Sequence, residues 1–108
     1  MKTIYLSGKM TGLKKEVYEK NFQNAELFYR ACGFEVVNPC HISAVILKKN
    51  PNADYEDFMK ADLKALAGCS HIAMLEGWET SCGAKRELKE AQTLGLVVVY
   101  FKIKGDEE

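Results

Sequence analysis

The sequence predicts an α/β fold: three layers, α/β/α, built around a small parallel sheet of four to five strands. Three observations carry this. Short β-rich runs alternate with segments whose apolar residues recur at helical spacing, the pattern of strands joined by right-handed helical crossovers. Residues 72–75 and 96–101 are almost continuously apolar, as strands buried on both faces are. Gly33, Gly68 and Gly95 stand where the helical stretches stop.

The elements follow in order. Thr3, Ile4, Tyr5 and Leu6 run into Ser7 and Gly8, so the first strand covers residues 2–7 and a glycine-bounded loop covers 8–12. Phe22, Ala25, Phe28 or Tyr29, and Cys32 mark the inner face of a helix over 16–32. A second strand over 34–37 is ended by Asn38 and Pro39. Residues 40–53 read as a loop with room for one helical turn, although 42–47 are apolar. Asp54 caps a helix over 55–67. A third strand at 72–75, a loop at 76–82, a long helix over 83–94 and an apolar fourth strand over 96–103 complete the domain. Residues 104–108 are a charged tail, expected to fray.

Length and composition set bounds. The 108 residues suit one compact domain, and a chain of this size buries roughly 60–70% of its unfolded surface, enough for a core without staples. Lys plus Arg and Asp plus Glu number 15 each, so no net field draws the chain to a nucleic acid polymer or an acidic membrane. Neutrality also does little to oppose self-association. Cys32, Cys40, Cys69 and Cys82 form no C-x-x-C pair, and their spacing suits no common zinc site. Cys40-His41 and Cys69-x-His71 are the pairs from which a metal site would have to be built; reduced thiols packed near strand ends are the simpler reading, with no metal and no cofactor. The first residues enter a strand directly, with no charged-then-apolar leader and no apolar run near 18 residues. Free thiols then point to the cytoplasm.

In open parallel sheets, ligands bind beyond the carboxyl ends of the strands. Here those ends are residues 8–12 and 76–83, and the second loop leads into a helix N-terminus suited to an anion. Gly8, Gly12, Gly77 and Gly83 have the spacing of neither a dinucleotide fingerprint nor a P-loop. Two acids break the helix patterns. Asp62 falls within the stripe of Tyr55, Phe58, Met59, Leu63 and Leu66. Glu87 falls within that of Ala84, Leu88, Ala91 and Leu94. Inward carboxylates are costly without partners, so such a pair marks either a site or a structural ion pair. Trp78 either caps the core or stacks on a planar ligand. Tyr5 fills the core of a central strand, with a hydroxyl near the strand end that needs a partner.

Tyr5-Leu6-Ser7-Gly8, Asp62-Leu63, and Ser81-Cys82-Gly83 leading to Glu87-Leu88-x-x-Ala91 together resemble the nucleoside 2-deoxyribosyltransferase superfamily, over about residues 3–101. The stretch from Glu76-Gly77-Trp78-Glu79 to Gly83-Ala84 is most similar to a small bacterial and phage-type branch of unestablished function. The resemblance implies a Rossmann-like fold and a nucleoside or nucleotide substrate. It implies that Glu87 attacks the anomeric carbon, that Asp62 handles the proton of the leaving base, and that Tyr5 hydrogen-bonds within the site. Ser81 and the amides near Gly83 correspond to a 5′-phosphate holder, and Gly8, Lys9, Met10 and Trp78 complete the expected substrate-binding set. A homodimer or higher homo-oligomer is implied as well.

That chemistry is physically coherent. Breaking an N-glycosidic bond builds oxocarbenium character that one carboxylate traps, while a second carboxyl of raised pKa protonates the base. Lys9 stands where relatives often carry a small residue or proline, and Lys89 where they often carry glycine. Both favour the alternative of a non-catalytic nucleotide sensor or sponge on the same fold.

Overall fold

The structure, a computed structural model, describes residues 2–102. Four strands, β1 (Thr3–Ser7), β2 (Glu35–Val37), β3 (His71–Leu75) and β4 (Val97–Phe101), form one sheet in the order β2-β1-β3-β4. Every pairing is parallel, with Tyr5 registered against Val37 on one side and Ile72 on the other. Helices α1 (Lys15–Ala31), α2 (Pro39–Lys49), α3 (Tyr55–Ala67) and α4 (Cys82–Leu94) complete the α/β fold.

Strand alternation divides the core in two. Ile4, Leu6, Ala73 and Leu75 face α1 and pack on Phe22, Ala25 and Tyr29. Tyr5, Ile72 and Met74 face the opposite way, onto Leu66 of α3 and Ala84 and Ala91 of α4. The helix ends are locally encoded. After α1, Gly33 adopts φ +96°. The Gly33 and Phe34 amides then donate to Arg30 and Tyr29, a Schellman closure that turns the chain into β2. Asp54 and Asp57 form a reciprocal capping box at α3, and the Ser81 hydroxyl accepts from the Ala84 amide to start α4 one residue earlier than expected.

Two expectations are corrected. Residues 40–49 are no loop: α2 occupies Pro39–Lys49, and only 50–53 connect it to the next helix. Asn38 and Pro39, read above only as a strand stop, are the N-cap and first residue of a helix, with the Asn38 side chain accepting from the Cys40 amide at 2.9 Å. Nor is the fourth strand buried on both faces. β4 lies at the sheet edge, so Val97 and Tyr100 are more than half exposed despite their apolar character. It ends at Phe101; Ile103 and the tail at 104–108 lie outside the described residues. The segment between β3 and α4 carries a single 3₁₀ turn, Trp78–Thr80.

Gly8 is required by close packing at the point where β1 leaves the sheet. A β-carbon there would stand 3.0 Å from Leu75 Cβ and 3.3 Å from Phe22 Cζ. Because Leu75 Cβ is fixed to the β3 backbone, Gly8→Ala is expected to destabilise the fold by about 1–3 kcal/mol, read as a lower urea midpoint at unchanged m-value.

Candidate functional site

The chain leaves β1 toward α1 on one face of the sheet and leaves β3 toward α4 on the other. This divergence between adjacent parallel strands is a topological switch point, where a crevice opens beyond the strand ends. A cavity of about 670 Å³ occupies it. The first loop contributes Gly8, Lys9 and Met10; the start of α4 contributes Ser81, Cys82 and Gly83. Asp62 and Glu87 enter from α3 and α4.

Glu87 is 5% exposed and held at both oxygens. Tyr5 Oη donates to Oε2 at 2.7 Å, and Ser7 Oγ donates to Oε1 at 2.6 Å. The two hydroxyls sit two residues apart on one face of β1, so strand geometry aims both at one carboxyl. Burial pushes the Glu87 carboxyl above its ordinary pKa, while the bonds from Ser7 and Tyr5 oppose that shift by favouring the anion. Tyr5 is wholly buried, and burial with the nearby Glu87 and Asp62 charges holds its phenol well above the usual range. It therefore stays a donor at any working pH.

Asp62 is 8% exposed, and its Oδ1 has no hydrogen-bond partner among the described residues. Burial first, and the Glu87 charge second, push its carboxyl up to about 7. The pair thus differs in kind. Glu87 is fixed by two donors; Asp62 is unpaired and poised to exchange a proton near neutrality.

Around these acids the cavity is unevenly charged. Lys9 is the cation lining it among the described residues. The first turn of α4 holds no acidic side chain; its Ala84 amide donates to the Ser81 hydroxyl, while Cys82 and Gly83, the residues before it, line the cavity. Gly83 leaves room there, since a β-carbon would come within 3.2 Å of Met59 Cε. At the rim, Arg86 pairs with Glu56 at 3.0 Å and lies over the Tyr55 ring, tying α4 to α3.

Tyr5, Asp62, Glu87, Gly8, Lys9, Met10, Ser81 and Gly83 therefore gather at one place, with Tyr5 standing behind Glu87 rather than on the cavity wall. Trp78 does not join them. Its ring packs on the cluster around Tyr5 and Leu66, with its centroid 6.1 Å from that of Tyr100, outside the cavity lining. Sequence reasoning missed Ser7, although its place two residues after Tyr5 on the same strand face was a usable signal. It also missed α2, whose Pro39, Ser43 and Leu47 form a wall of the cavity. Four free cysteines are present, of which only Cys82 lines the cavity. Among the described residues no group of three His, Cys, Asp or Glu side chains is disposed to hold a metal, and no helix is long and apolar enough to cross a membrane.

Residues 2–100 match the family described as a domain of unknown function, DUF4406. The chain belongs to the DUF4406 family. No curated protein sequence matches this DUF4406 chain. Among solved structures it resembles the Clostridium botulinum CMP N-glycosidase BcmB, at 20% identity and a TM-score of 0.61 over 97% of this chain and 72% of that one. At that identity the likeness is one of fold.

Proposed function

We propose that the protein cleaves or transfers the glycosyl group of a nucleoside or nucleoside 5′-monophosphate, as a member of the nucleoside 2-deoxyribosyltransferase-like enzymes. The observation that carries this is the pair of buried carboxyls at the switch point, one held by two hydroxyls and the other unpaired with its pKa near 7. In the first step a Glu87 oxygen bonds to the anomeric carbon as the C–N bond breaks. The bonding pair leaves on the base nitrogen, which takes the proton of Asp62. Water or a second base then attacks the glycosyl ester, giving its proton to the Asp62 carboxylate and releasing Glu87. The amides at the start of α4, with Lys9, suit a 5′-phosphate. The neighbour's description as a CMP N-glycosidase supports a nucleotide glycosidic bond as the class of substrate.

Incubation with a panel of nucleosides, deoxynucleosides and their 5′-monophosphates, followed by chromatography, is expected to yield free base. No base from any member overturns the reading. Calorimetric binding of a mononucleotide without base release supports the non-catalytic binder, which Lys9 in the cavity favours.

The hydroxyls behind Glu87 provide a graded check. Ser7→Ala and Tyr5→Phe each remove one donor from the developing and departing carboxylate. Each is expected to lower kcat by about ten- to a hundredfold, with KM little changed. Steady-state base release on the folded variants measures this.

A further inference from the structure

The cavity has two walls outside its catalytic edge, and the Asn38 side chain hydrogen-bonds to both helices that form them. Tyr18 and Phe22 of α1 line it, and the same i, i+4 row continues away from it as Glu26 and Arg30. Pro39, Ser43 and Leu47, an i, i+4 row of α2, line it from the other side. Between the rows stands Asn38, 5% exposed. Its Oδ1 accepts from the Cys40 amide at 2.9 Å and so starts α2. Its Nδ2 donates to Glu26 Oε1 at 3.0 Å, and Arg30 Nε donates to Glu26 Oε2 at 2.8 Å. Every polar atom of the Asn38 side chain is thus engaged on a different helix. Beside it, Cys40 in the first turn of α2 packs against the cluster that holds Phe22, Ala25 and Tyr29 of α1.

We propose that Asn38 is a positioning residue: by bridging Glu26 and the first turn of α2, it fixes the distance between the two apolar walls and thereby which ligands the cavity admits. Its role in ligand choice rests on the function proposed above. The clamp itself does not. Burial alone would raise the Glu26 carboxyl, but the bonds from Asn38 and Arg30 outweigh it, so the acceptor is an anion and the bond charge-assisted. A donor at position 38 is therefore essential, and a carboxylate there would face another carboxylate.

Asn38→Asp keeps the cap and reverses the bridge. Adding Glu26→Gln restores a bond of opposite polarity, since the new amide donates to position 38 and still accepts from Arg30. Asn38→Ser, a capping residue too short to reach Glu26, breaks the bridge without repulsion should the aspartate variant fail to fold. In hydrogen exchange of the ligand-free protein, we expect residues 40–49 to exchange about tenfold faster in Asn38→Asp and Asn38→Ser, with α4 unchanged and the paired variant restored. With the preferred nucleoside 5′-monophosphate, KM is expected to rise about tenfold while kcat stays within about threefold, again restored in the pair. Unchanged exchange in α2, a paired variant as impaired as Asn38→Asp, or a loss confined to kcat overturns the proposal. If the wild-type protein binds no mononucleotide, the proposed function fails, and the exchange experiment alone decides the clamp.

Discussion

Replacing Glu87 with glutamine is expected to leave the protein folded and to lower the proposed base release by at least about a thousandfold. The carboxamide has the shape of the carboxylate, so Tyr5 and Ser7 keep partners: one hydroxyl donates to the amide oxygen, and the other rotates to accept from the amide nitrogen. What is lost is the anion. A neutral amide neither forms the glycosyl ester nor stabilises positive charge on the sugar, and no other acid among the described residues lines the cavity except Asp62. Glu87→Ala is the less informative change. It strands two buried hydroxyls at a cost of about 1–3 kcal/mol each, mixing loss of chemistry with loss of stability. Base release by Glu87→Gln, set beside its denaturation midpoint, separates the two.

Asp62→Asn is expected to raise stability at pH 8 while removing activity. The Asp62 carboxyl titrates at about 7 in the folded protein and at an ordinary carboxylate value, 3.8, when unfolded. Between those values the unfolded chain has released its proton and the folded one retains it. The stabilising contribution of protonated Asp62 is therefore complete below about pH 4 and is lost as pH rises through about 7. Asparagine does not titrate. The variant should match the wild type near pH 4 and exceed it at pH 8 by on the order of 2–4 kcal/mol, the lower part of the range reflecting solvent in the cavity. Urea denaturation at the two pH values measures it. In the wild type, kcat/KM should fall as pH rises past about 7, when the base loses its proton donor. Asp62→Asn should lose about 10²–10⁴ in rate.

What was legible in the sequence followed from periodicity. Asp62 and Glu87 stood out because each interrupts an apolar stripe at helical spacing. The switch point was legible as a location, because strand ends and glycines marked both loops. Ser7 shares a strand face with Tyr5, but that signal alone does not name its partner, since a hydroxyl at a strand end looks the same whether it meets water or a carboxylate 80 residues away along the chain. The helix at Pro39–Lys49 was misread because Asn-Pro serves equally as a strand stop and a helix start, and only the Asn38–Cys40 bond distinguishes them. β4 was misread for another reason. An edge strand and a central strand share the same apolar composition, and pairing partners decide which is which. Trp78, which follows Gly77 at φ +93°, is half-buried against the cluster around Tyr5 and Leu66.

In the proposed function, the two carboxyls at the β1–β3 switch point address one glycosidic bond. A crystal structure of Glu87→Gln with a deoxynucleoside 5′-monophosphate tests this most directly. The anomeric carbon is expected about 3–3.5 Å from the side chain at position 87, with a base ring nitrogen or oxygen within about 3.2 Å of Asp62 Oδ1. A nucleotide seated with its sugar away from position 87, or its base out of reach of Asp62, would contradict it.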